Sequence, residues 1–200
     1  MEKQEIDSYI KAGKIHQGVT AFAKSIIKPG MKLYDIAVAI DEKIDELGGE
    51  PAFPVNLSIN EIAAHFTPAK DDEHVAEGLL KVDIGVAVDG FIADGAFSLD
   101  FSEGGKYGEM ISLNEKILLE VEKVIKPGME VCDVGDSVQD SLESWNSSNG
   151  SRYSVIKGLS GHQLGQNVIH AGVTISNYRN DNHKKLNDVA IAIEPFVTDG

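Results

Sequence analysis

Two carboxylates, Asp83 and Asp94, are the residues of this sequence best placed for metal chemistry. Two carboxylates that reach toward one point repel each other unless a proton or a cation lies between them. Hard divalent cations are the usual solution, and a pair of metal ions about 3.5–4 Å apart is a common catalytic arrangement. The alternative is that both acids lie on a solvated face, because acidic side chains are mostly exposed.

A predicted β-hairpin carries both acids. The Asp89-Gly90 pair stands between alternating apolar runs within residues 79–99, which is the pattern of a two-residue hairpin turn. That turn sets a register in which Asp94 faces Gly85 and Asp83 is a diagonal neighbour, roughly 7–8 Å away on the same face. The opposite face is apolar and predicted to enter the core; it consists of Val82, Ile84, Val86, Val88, Phe91, Ala93 and Phe97.

Composition narrows the classes of function. A net charge of −14 over 200 residues argues against a nucleic-acid-binding surface, which needs a basic patch. The single cysteine, Cys132, excludes an internal disulfide and favours a reducing compartment, and its place at a helix entry favours a structural role over a nucleophilic one. The sequence shows neither a signal peptide nor a membrane-spanning run, so we expect a cytoplasmic protein.

The first part of the chain predicts two helices. Residues 5–27 keep the apolar spacing of an amphipathic helix, which the Pro29-Gly30 pair ends. Asp35 is predicted to be the N-cap of a second helix that runs to about Leu47.

The same pattern returns further along the chain. Residues 110–125 predict another amphipathic helix, and the sequence Ile-Lys-Pro-Gly-Met occurs at both 27–31 and 125–129, an offset of 125 − 27 = 98. Asp133 falls at the position of Asp35, and the following helix is predicted to run to Trp145. We interpret this as an internal duplication.

The duplication predicts two similar α+β halves, about 1–101 and 109–200, within a single catalytic domain over residues 1–200. Three strands are predicted in the second half, at residues 155–162, 168–175 and 189–196. The last of these carries Glu194 and corresponds to the strand of Asp83. A counterpart of the Asp94 strand would lie after Gly200, so by its own symmetry the chain is expected to be incomplete at its C-terminus.

Histidines add candidate ligands to the acids. His162 follows Gly161, which allows close approach of the backbone, and His170 stands eight residues later. His65 precedes the hairpin. The remaining histidines have polar or charged neighbours and are predicted to be surface residues; they are His16, His74 and His183.

Several blocks of sequence, in this order, resemble one known family. They are Pro-Ala-Phe-Pro-Val-Asn-Leu-Ser-Ile-Asn-Glu-Ile-Ala-Ala-His-Phe-Thr-Pro at 51–68, Lys-Val-Asp-Ile-Gly-Val at 81–86, Asp-Gly-Phe-Ile-Ala-Asp at 89–94, Leu-Ser-Gly-His at 159–162, Ile-His-Ala-Gly at 169–172 and Ala-Ile-Glu-Pro-Phe at 192–196. The chain resembles methionine aminopeptidase of type 2. The resemblance implies the α+β pita-bread fold with a pseudo-twofold axis. One departure is Gly95, since relatives often carry Thr or Cys after the second aspartate.

The resemblance implies a set of metal ligands. Asp83, Asp94, His162 and Glu194 match four of the five residues that hold two divalent ions, which could be Co, Mn, Fe or Zn; Asp94 is expected to bridge both ions and Asp83 to chelate one. The fifth ligand of the family is a glutamate that would lie beyond residue 200.

The resemblance also implies residues that contact the substrate. His65 and His170 match two histidines that contact the substrate and the tetrahedral intermediate, and Glu194 matches the group that handles the proton of the nucleophilic water. Phe53 and Ile169 match positions that line the methionine pocket.

These matches predict a metal-dependent hydrolase that removes the N-terminal methionine from nascent proteins with a small second residue. We expect a monomer without nucleic-acid or membrane binding, and contact with the ribosome stays open. Two alternatives remain, a proline-specific aminopeptidase of the same fold and a pita-bread module that binds without catalysis.

Overall fold

The computed structural model describes all 200 residues, which form two compact units. Unit 1 comprises Met1–Tyr107 and Gly165–Ile169, and unit 2 comprises Gly108–Leu164 and His170–Gly200. The helices are α1 (Lys3–Ile26), α2 (Leu33–Glu46), α3 (Gly108–Val124) and α4 (Val131–Asn149), with one 3-10 turn at Glu103–Gly105. The strands are β1 (Glu50–Pro51), β2 (Asn56–Ile59), β3 (Gly78–Val88), β4 (Phe91–Phe101), β5 (Met129–Glu130), β6 (Ser154–Val155), β7 (Ser160–Leu164), β8 (Thr174–Ser176), β9 (Lys185–Leu186), β10 (Ala190–Ala192) and β11 (Val197–Thr198). None of the helices combines the length and apolar character needed to cross a membrane.

Unit 1 is a four-stranded antiparallel sheet covered by α1 and α2. Strand β3 is central and pairs with β1, β2 and β4. The predicted apolar face of the hairpin is the core face, since Val82, Ile84 and Val86 are fully buried there against the two helices. Burial of this continuous apolar layer is the main driving force for folding of the unit.

The predicted hairpin is confirmed in turn and register. Val88 pairs with Phe91, and Gly85 pairs with Asp94. Asp89 and Gly90 have φ angles of +52° and +78°, the left-handed pair that a type I′ turn requires.

Helix α1 is confirmed, but its buried stripe differs in part from the predicted one. Ile6 is 39% exposed, although its spacing predicted a core position. The side chains that the helix buries are Ser8, Ala12, Ile15, Val19 and Ala23. The small residues in this stripe let the helix lie close to the sheet.

The prediction that Asp35 is the N-cap of α2 is wrong. The N-cap is Lys32, and Asp35 lies in the first helical turn. Lys32 forms an isolated bridge with Val75, and the Leu33 N–H donates to His74 O at 3.0 Å, so the extended backbone continues up to residue 32. Asp35 still interacts favourably with the positive end of the helix dipole.

The helices of unit 2 repeat those of unit 1 at the predicted offset. Helix α3 ends 98 residues after α1 (124 − 26), and α4 begins 98 residues after α2 (131 − 33). A capping box of Glu130 and Asp133 opens α4. The helix runs four residues beyond the predicted Trp145, to Asn149, and Gly150 ends it in a left-handed conformation.

The strands of unit 2 are shorter than predicted. Strand β7 pairs with β10 on one side and β8 on the other. A strand was predicted over residues 189–196, but the observed strand β10 spans only Ala190–Ala192. Glu194 therefore lies two residues after the end of the strand. Pro195 has no N–H to donate to a sheet ladder, so regular strand pairing does not continue through it.

Candidate active-site residues

The two acids of the hairpin lie where the predicted register puts them. Asp83 pairs with Ala96 and Asp94 with Gly85, so the acids are diagonal neighbours on the face opposite the core. Both side chains are partly buried. Their direct partners on the neighbouring strand of the hairpin are small, Ala96 for Asp83 and Gly85 for Asp94.

The ring of Phe53 covers the gap that Gly85 leaves on this face. A Cβ added to Gly85 would lie 2.3 Å from Phe53 Cε1, so only glycine allows the ring to lie against the strand. Because Gly85 is paired with Asp94, the ring lies beside that acid. The predicted pocket residue Phe53 and the predicted ligand Asp94 therefore belong to one cluster.

His65 lies on the loop that follows β2. Its backbone has a φ of +65°, which is uncommon for a residue with a side chain. The next residue holds the loop against β2, since the Phe66 N–H donates to Ser58 Oγ at 3.3 Å and Phe66 O accepts from the Leu57 N–H at 2.7 Å. The imidazole of His65 is exposed and accessible to a substrate.

Two polar residues that the sequence did not single out also lie on the face of Asp83. Asn56 pairs directly with Asp83, and its amide donates to Pro54 O at 2.6 Å and to Thr67 Oγ1 at 3.3 Å. Lys81 Nζ donates to Asn60 O at 2.6 Å. Burial lowers the pKa of Lys81 to about 8, against a smaller opposing effect of Glu61.

The prediction that His16 is a simple surface residue is wrong. His16 Nε2 donates to Gly95 O at 3.2 Å in a partly buried position. A Cβ on Gly95 would lie 2.8 Å from His16 Cε1, so the imidazole fills the space beside the residue that follows Asp94. The sequence around His16, with charged Lys14 and polar Gln17, gave no sign of this contact, because it depends on the packing of α1 against β4.

The segment of Ile169 is anchored to the hairpin turn. The Asn167 N–H donates to Gly90 O at 2.8 Å, and Gln166 Nε2 donates to Asp89 O at 2.9 Å. Ile169 itself is partly buried. The structure therefore places both predicted pocket residues, Phe53 and Ile169, in unit 1.

The second group of predicted residues comes together within unit 2. His162 Nε2 lies 2.9 Å from Glu194 Oε1, and the His162 side chain is almost fully buried. The rings of His162 and His170 meet edge to face with centroids 4.3 Å apart. Three residues separated by up to 32 positions (194 − 162) thus lie close together in unit 2.

Close backbone packing brings Glu194 to His162. A Cβ on Gly161 would lie 2.3 Å from Ala192 O, so glycine is required where β7 meets β10. Asn177, which is 1% exposed, donates from Nδ2 to Glu194 O at 2.6 Å and to Leu159 O at 3.3 Å. Asn177 was missed at the sequence level, because a polar residue two positions after Ile175 carries no distinctive signal.

The donor atoms present fit divalent metal ions. Unit 1 by itself contains two such carboxylates, and unit 2 by itself contains an imidazole beside a carboxylate. Oxygen and imidazole nitrogen donors suit Mn, Fe, Co and Zn without selecting one of them. Glu194 Oε1 is buried beside His162 Nε2 but has no hydrogen bond of regular geometry, and a buried polar atom of this kind is suited to binding a cation.

Comparison with known proteins gives consistent matches. The family model described as metallopeptidase family M24 matches residues 7–200. The chain is 44% identical over 200 residues to a methionine aminopeptidase of Thermococcus onnurineus and 40% identical over 204 residues to one of Methanocaldococcus jannaschii. The matches cover 98% and 100% of this chain and 65% and 66% of those relatives, so the chain spans just under two thirds of their length.

The fold is that of a solved methionine aminopeptidase. The crystal structure of methionine aminopeptidase from Thermotoga maritima covers all of this chain with a TM-score of 0.86 at 28% identity, and the chain covers 82% of it. The predicted α+β pita-bread fold and the predicted resemblance are thereby confirmed.

Proposed function

The chain belongs to metallopeptidase family M24, and from this membership and its similarity to archaeal methionine aminopeptidases we propose that it removes the N-terminal methionine from polypeptides by hydrolysis. Membership implies the use of a divalent metal, and the donor atoms described above fit such ions. The observation that carries the proposal is the register of the hairpin, in which Gly85 pairs with Asp94 and sets Asp83 diagonal to it. That register leaves two partly buried carboxylates on one face beside an aromatic ring.

Four residues are proposed to hold two metal ions, which could be Co, Mn, Fe or Zn. Asp83 and Asp94 supply the carboxylates of unit 1, and His162 and Glu194 supply the ligands of unit 2. Bound divalent ions would supply Lewis acidity, which lowers the pKa of water toward neutrality.

The chain's own side chains are proposed to move protons and orient the substrate. Glu194 accepts the proton of the attacking water, for which a carboxylate next to an imidazole is suited. His170 or His65 donates a hydrogen bond to the carbonyl oxygen of the scissile peptide. An accessible imidazole can stabilise the negative charge that develops on this oxygen.

Apolar side chains are proposed to select methionine. The Phe53 ring lies against Gly85 and offers an aromatic surface with which a thioether makes favourable contacts. Ile169 adds a second apolar wall. A small residue after methionine is expected to be preferred, because it avoids steric conflict at the next position.

The wider setting follows from this activity. We propose that residues 1–200 act as one catalytic domain in the cytoplasm, on nascent chains as they emerge from the ribosome, and that the protein works as a monomer. The net charge of −14 disfavours direct binding to RNA.

Substitution of one carboxylate on the hairpin tests the proposal. The purified chain is loaded with Mn²⁺, Co²⁺, Fe²⁺ or Zn²⁺, and release of methionine from the tripeptide Met-Ala-Ser is measured. Asp94→Asn is expected to abolish methionine release and to lower the number of bound ions measured by titration calorimetry.

Asp89→Asn is the matched control, since it removes a carboxylate from the same hairpin. An Asn-Gly turn keeps the type I′ geometry, and the amide oxygen can still accept from Ser8 Oγ, which lies 3.0 Å from Asp89 Oδ2. This variant should retain activity. The proposal fails if Asp94→Asn keeps methionine release, or if the chain cleaves Ala-Pro substrates in preference to Met-Ala-Ser.

A further inference from the structure

Three different metal-ligating side chains meet at the beginning of α4. Cys132 Sγ lies 3.6 Å from His183 Nδ1 and 3.7 Å from Glu130 Oε2, and His183 Nδ1 lies 2.7 Å from the same Glu130 oxygen. All three residues belong to unit 2, and none of them is a proposed ligand of the hydrolytic metals. The sequence analysis predicted a structural role for Cys132 and a surface position for His183.

Backbone hydrogen bonds hold the histidine opposite the cysteine. The Val131 N–H donates to Lys184 O at 3.0 Å, and the Cys132 N–H donates to Asn182 O at 2.9 Å. The Asn182 side chain fixes the loop further, because its Oδ1 accepts from the Lys184 N–H at 3.1 Å. His183 is thus presented by a loop that is bonded on both sides, rather than by a free surface segment.

The cluster combines a buried thiol with accessible partners. Cys132 is only 7% exposed, and its sulfur contacts the other two donor atoms. The His183 side chain is 71% exposed and that of Glu130 33%. An ion could therefore enter from solvent and would be anchored by a sulfur on the protein side.

The separations approach those of a tetrahedral zinc site. With Zn–S near 2.3 Å and Zn–N and Zn–O near 2.0–2.2 Å, tetrahedral ligands lie about 3.4–3.6 Å from one another. The two separations that involve sulfur, 3.6 and 3.7 Å, are close to this value. Only the 2.7 Å contact between His183 and Glu130 has to widen, and a hydrogen-bonded pair does so when an ion replaces the shared proton.

A nucleophilic triad does not explain the cluster. A cysteine–histidine–acid triad uses the two ring nitrogens separately, one for the thiol and one for the acid. Here the thiol and the carboxylate both contact Nδ1 of His183. The three donor atoms surround one point, which is the geometry of a ligand set.

We propose that Glu130, Cys132 and His183 bind a borderline-soft divalent cation, Zn²⁺ in the first instance, with water at the fourth position. Thiolate, imidazole and carboxylate are a donor set that Zn²⁺ accepts. The ion joins the first turn of α4 to the loop before β9 and stabilises unit 2, because a ligand that binds only the folded state raises its stability.

Binding of Co²⁺ to a thiolate gives an absorption signal that the proposed hydrolytic ligands, which contain no sulfur, cannot produce. The chain contains a single cysteine, so a thiolate-to-cobalt charge-transfer absorption in the near ultraviolet reports Cys132 alone. Titration of the wild-type chain with Co²⁺ is expected to produce this absorption, and Zn²⁺ is expected to displace it. Cys132→Ser should lose the absorption entirely. His183→Asn should weaken the Co²⁺ affinity measured by this absorption at least roughly tenfold, which is the smallest loss typical of removing a residue that only orients a metal ligand.

His74→Asn is the matched control. His74 Nδ1 contacts Asp72 Oδ1 at the same 2.7 Å separation but has no cysteine beside it, so this variant should titrate like the wild type. The proposal is overturned if the folded wild-type chain shows no charge-transfer absorption, or if His183→Asn retains wild-type affinity. Because His183 is exposed, its substitution leaves the fold intact and the second outcome can be interpreted even if Cys132→Ser unfolds. Methionine release should be unchanged in His183→Asn, which separates this site from the proposed hydrolytic one.

Discussion

Asn177 holds the backbone of Glu194 in place, with its side-chain amide 2.6 Å from the Glu194 carbonyl oxygen. The same amide also donates to Leu159 O at 3.3 Å, so one buried side chain joins the segment before β7 to the segment after β10. Glu194 has no strand of its own to position it. Asn177 is therefore a positioning residue for a proposed metal ligand.

Asn177→Ala is expected to lower stability and metal affinity together. Removal of the amide leaves a buried carbonyl without its donor, which costs about 1–3 kcal/mol in unfolding free energy. Loss of an orienting partner typically weakens metal binding by roughly 10–100-fold. Urea unfolding of the metal-free chain and Mn²⁺ titration measure the two effects. The exposed Asn187→Ala is the control, and equal behaviour of the two variants would contradict the positioning role.

Gly85→Ala is expected to displace the ring of Phe53. The new Cβ would lie 2.3 Å from the ring, and such overpacking costs about 1–3 kcal/mol. In a Phe53→Ala background the clash is absent, so the cost of Gly85→Ala should fall, as a double-mutant cycle of unfolding free energies would show. Additive effects would argue against the contact. Gly13→Ala, where nothing lies within 4 Å of the new Cβ, should stabilise α1 slightly.

Gly90→Ala is expected to damage the hairpin turn in two ways. The φ of +78° strains a residue with a side chain by about 1–2 kcal/mol, and the new Cβ would lie 2.4 Å from Asn167 Oδ1. Gly104→Ala is the control for backbone strain without a steric contact, because Gly104 has a φ of +72° and no atom lies within 4 Å of the new Cβ. Thermal unfolding should show the larger loss for Gly90→Ala; equal losses would mean that the contact with Asn167 adds nothing.

Glu109 is expected to make the stability of unit 2 depend on pH. Hydrogen bonds from Ser151 Oγ at 2.8 Å and Trp145 Nε1 at 3.2 Å lower the pKa of Glu109. A carboxyl with a lowered pKa in the folded state adds stability above its unfolded pKa, and this contribution is lost as pH falls through the folded pKa. Trp145 is the only tryptophan, so its fluorescence reports the site directly.

Glu109→Gln should remove the loss of unfolding free energy that protonation of Glu109 causes at low pH. The amide still accepts both hydrogen bonds but does not titrate as a carboxyl. Urea unfolding followed by Trp145 fluorescence, at pH 7 and at successively lower pH, compares the variant with the wild type. An unchanged slope of stability against pH would show that Glu109 does not contribute.

The features that the sequence determined are those that depend on local chain geometry. The Asp89-Gly90 pair is sufficient to set the register of β3 and β4. A two-residue loop makes Val88 pair with Phe91, and this pair fixes the partner and the face of every other residue in the two strands. The repeat at 98 residues likewise predicted where α3 ends and α4 begins, since the Pro-Gly pair stops a helix in both halves. The diagonal placement of Asp83 and Asp94 follows directly from that register.

Contacts between distant segments were decided only by the tertiary structure. The sequence has no local signal for Asn177 on the backbone of Glu194, for His16 on Gly95, or for His183 beside Cys132. Each contact joins residues between 17 and 79 positions apart, and depends on how helices and loops pack on the sheets. Past the end of β10, the Asn177 side chain also satisfies the backbone carbonyl of Glu194, which no strand partner pairs.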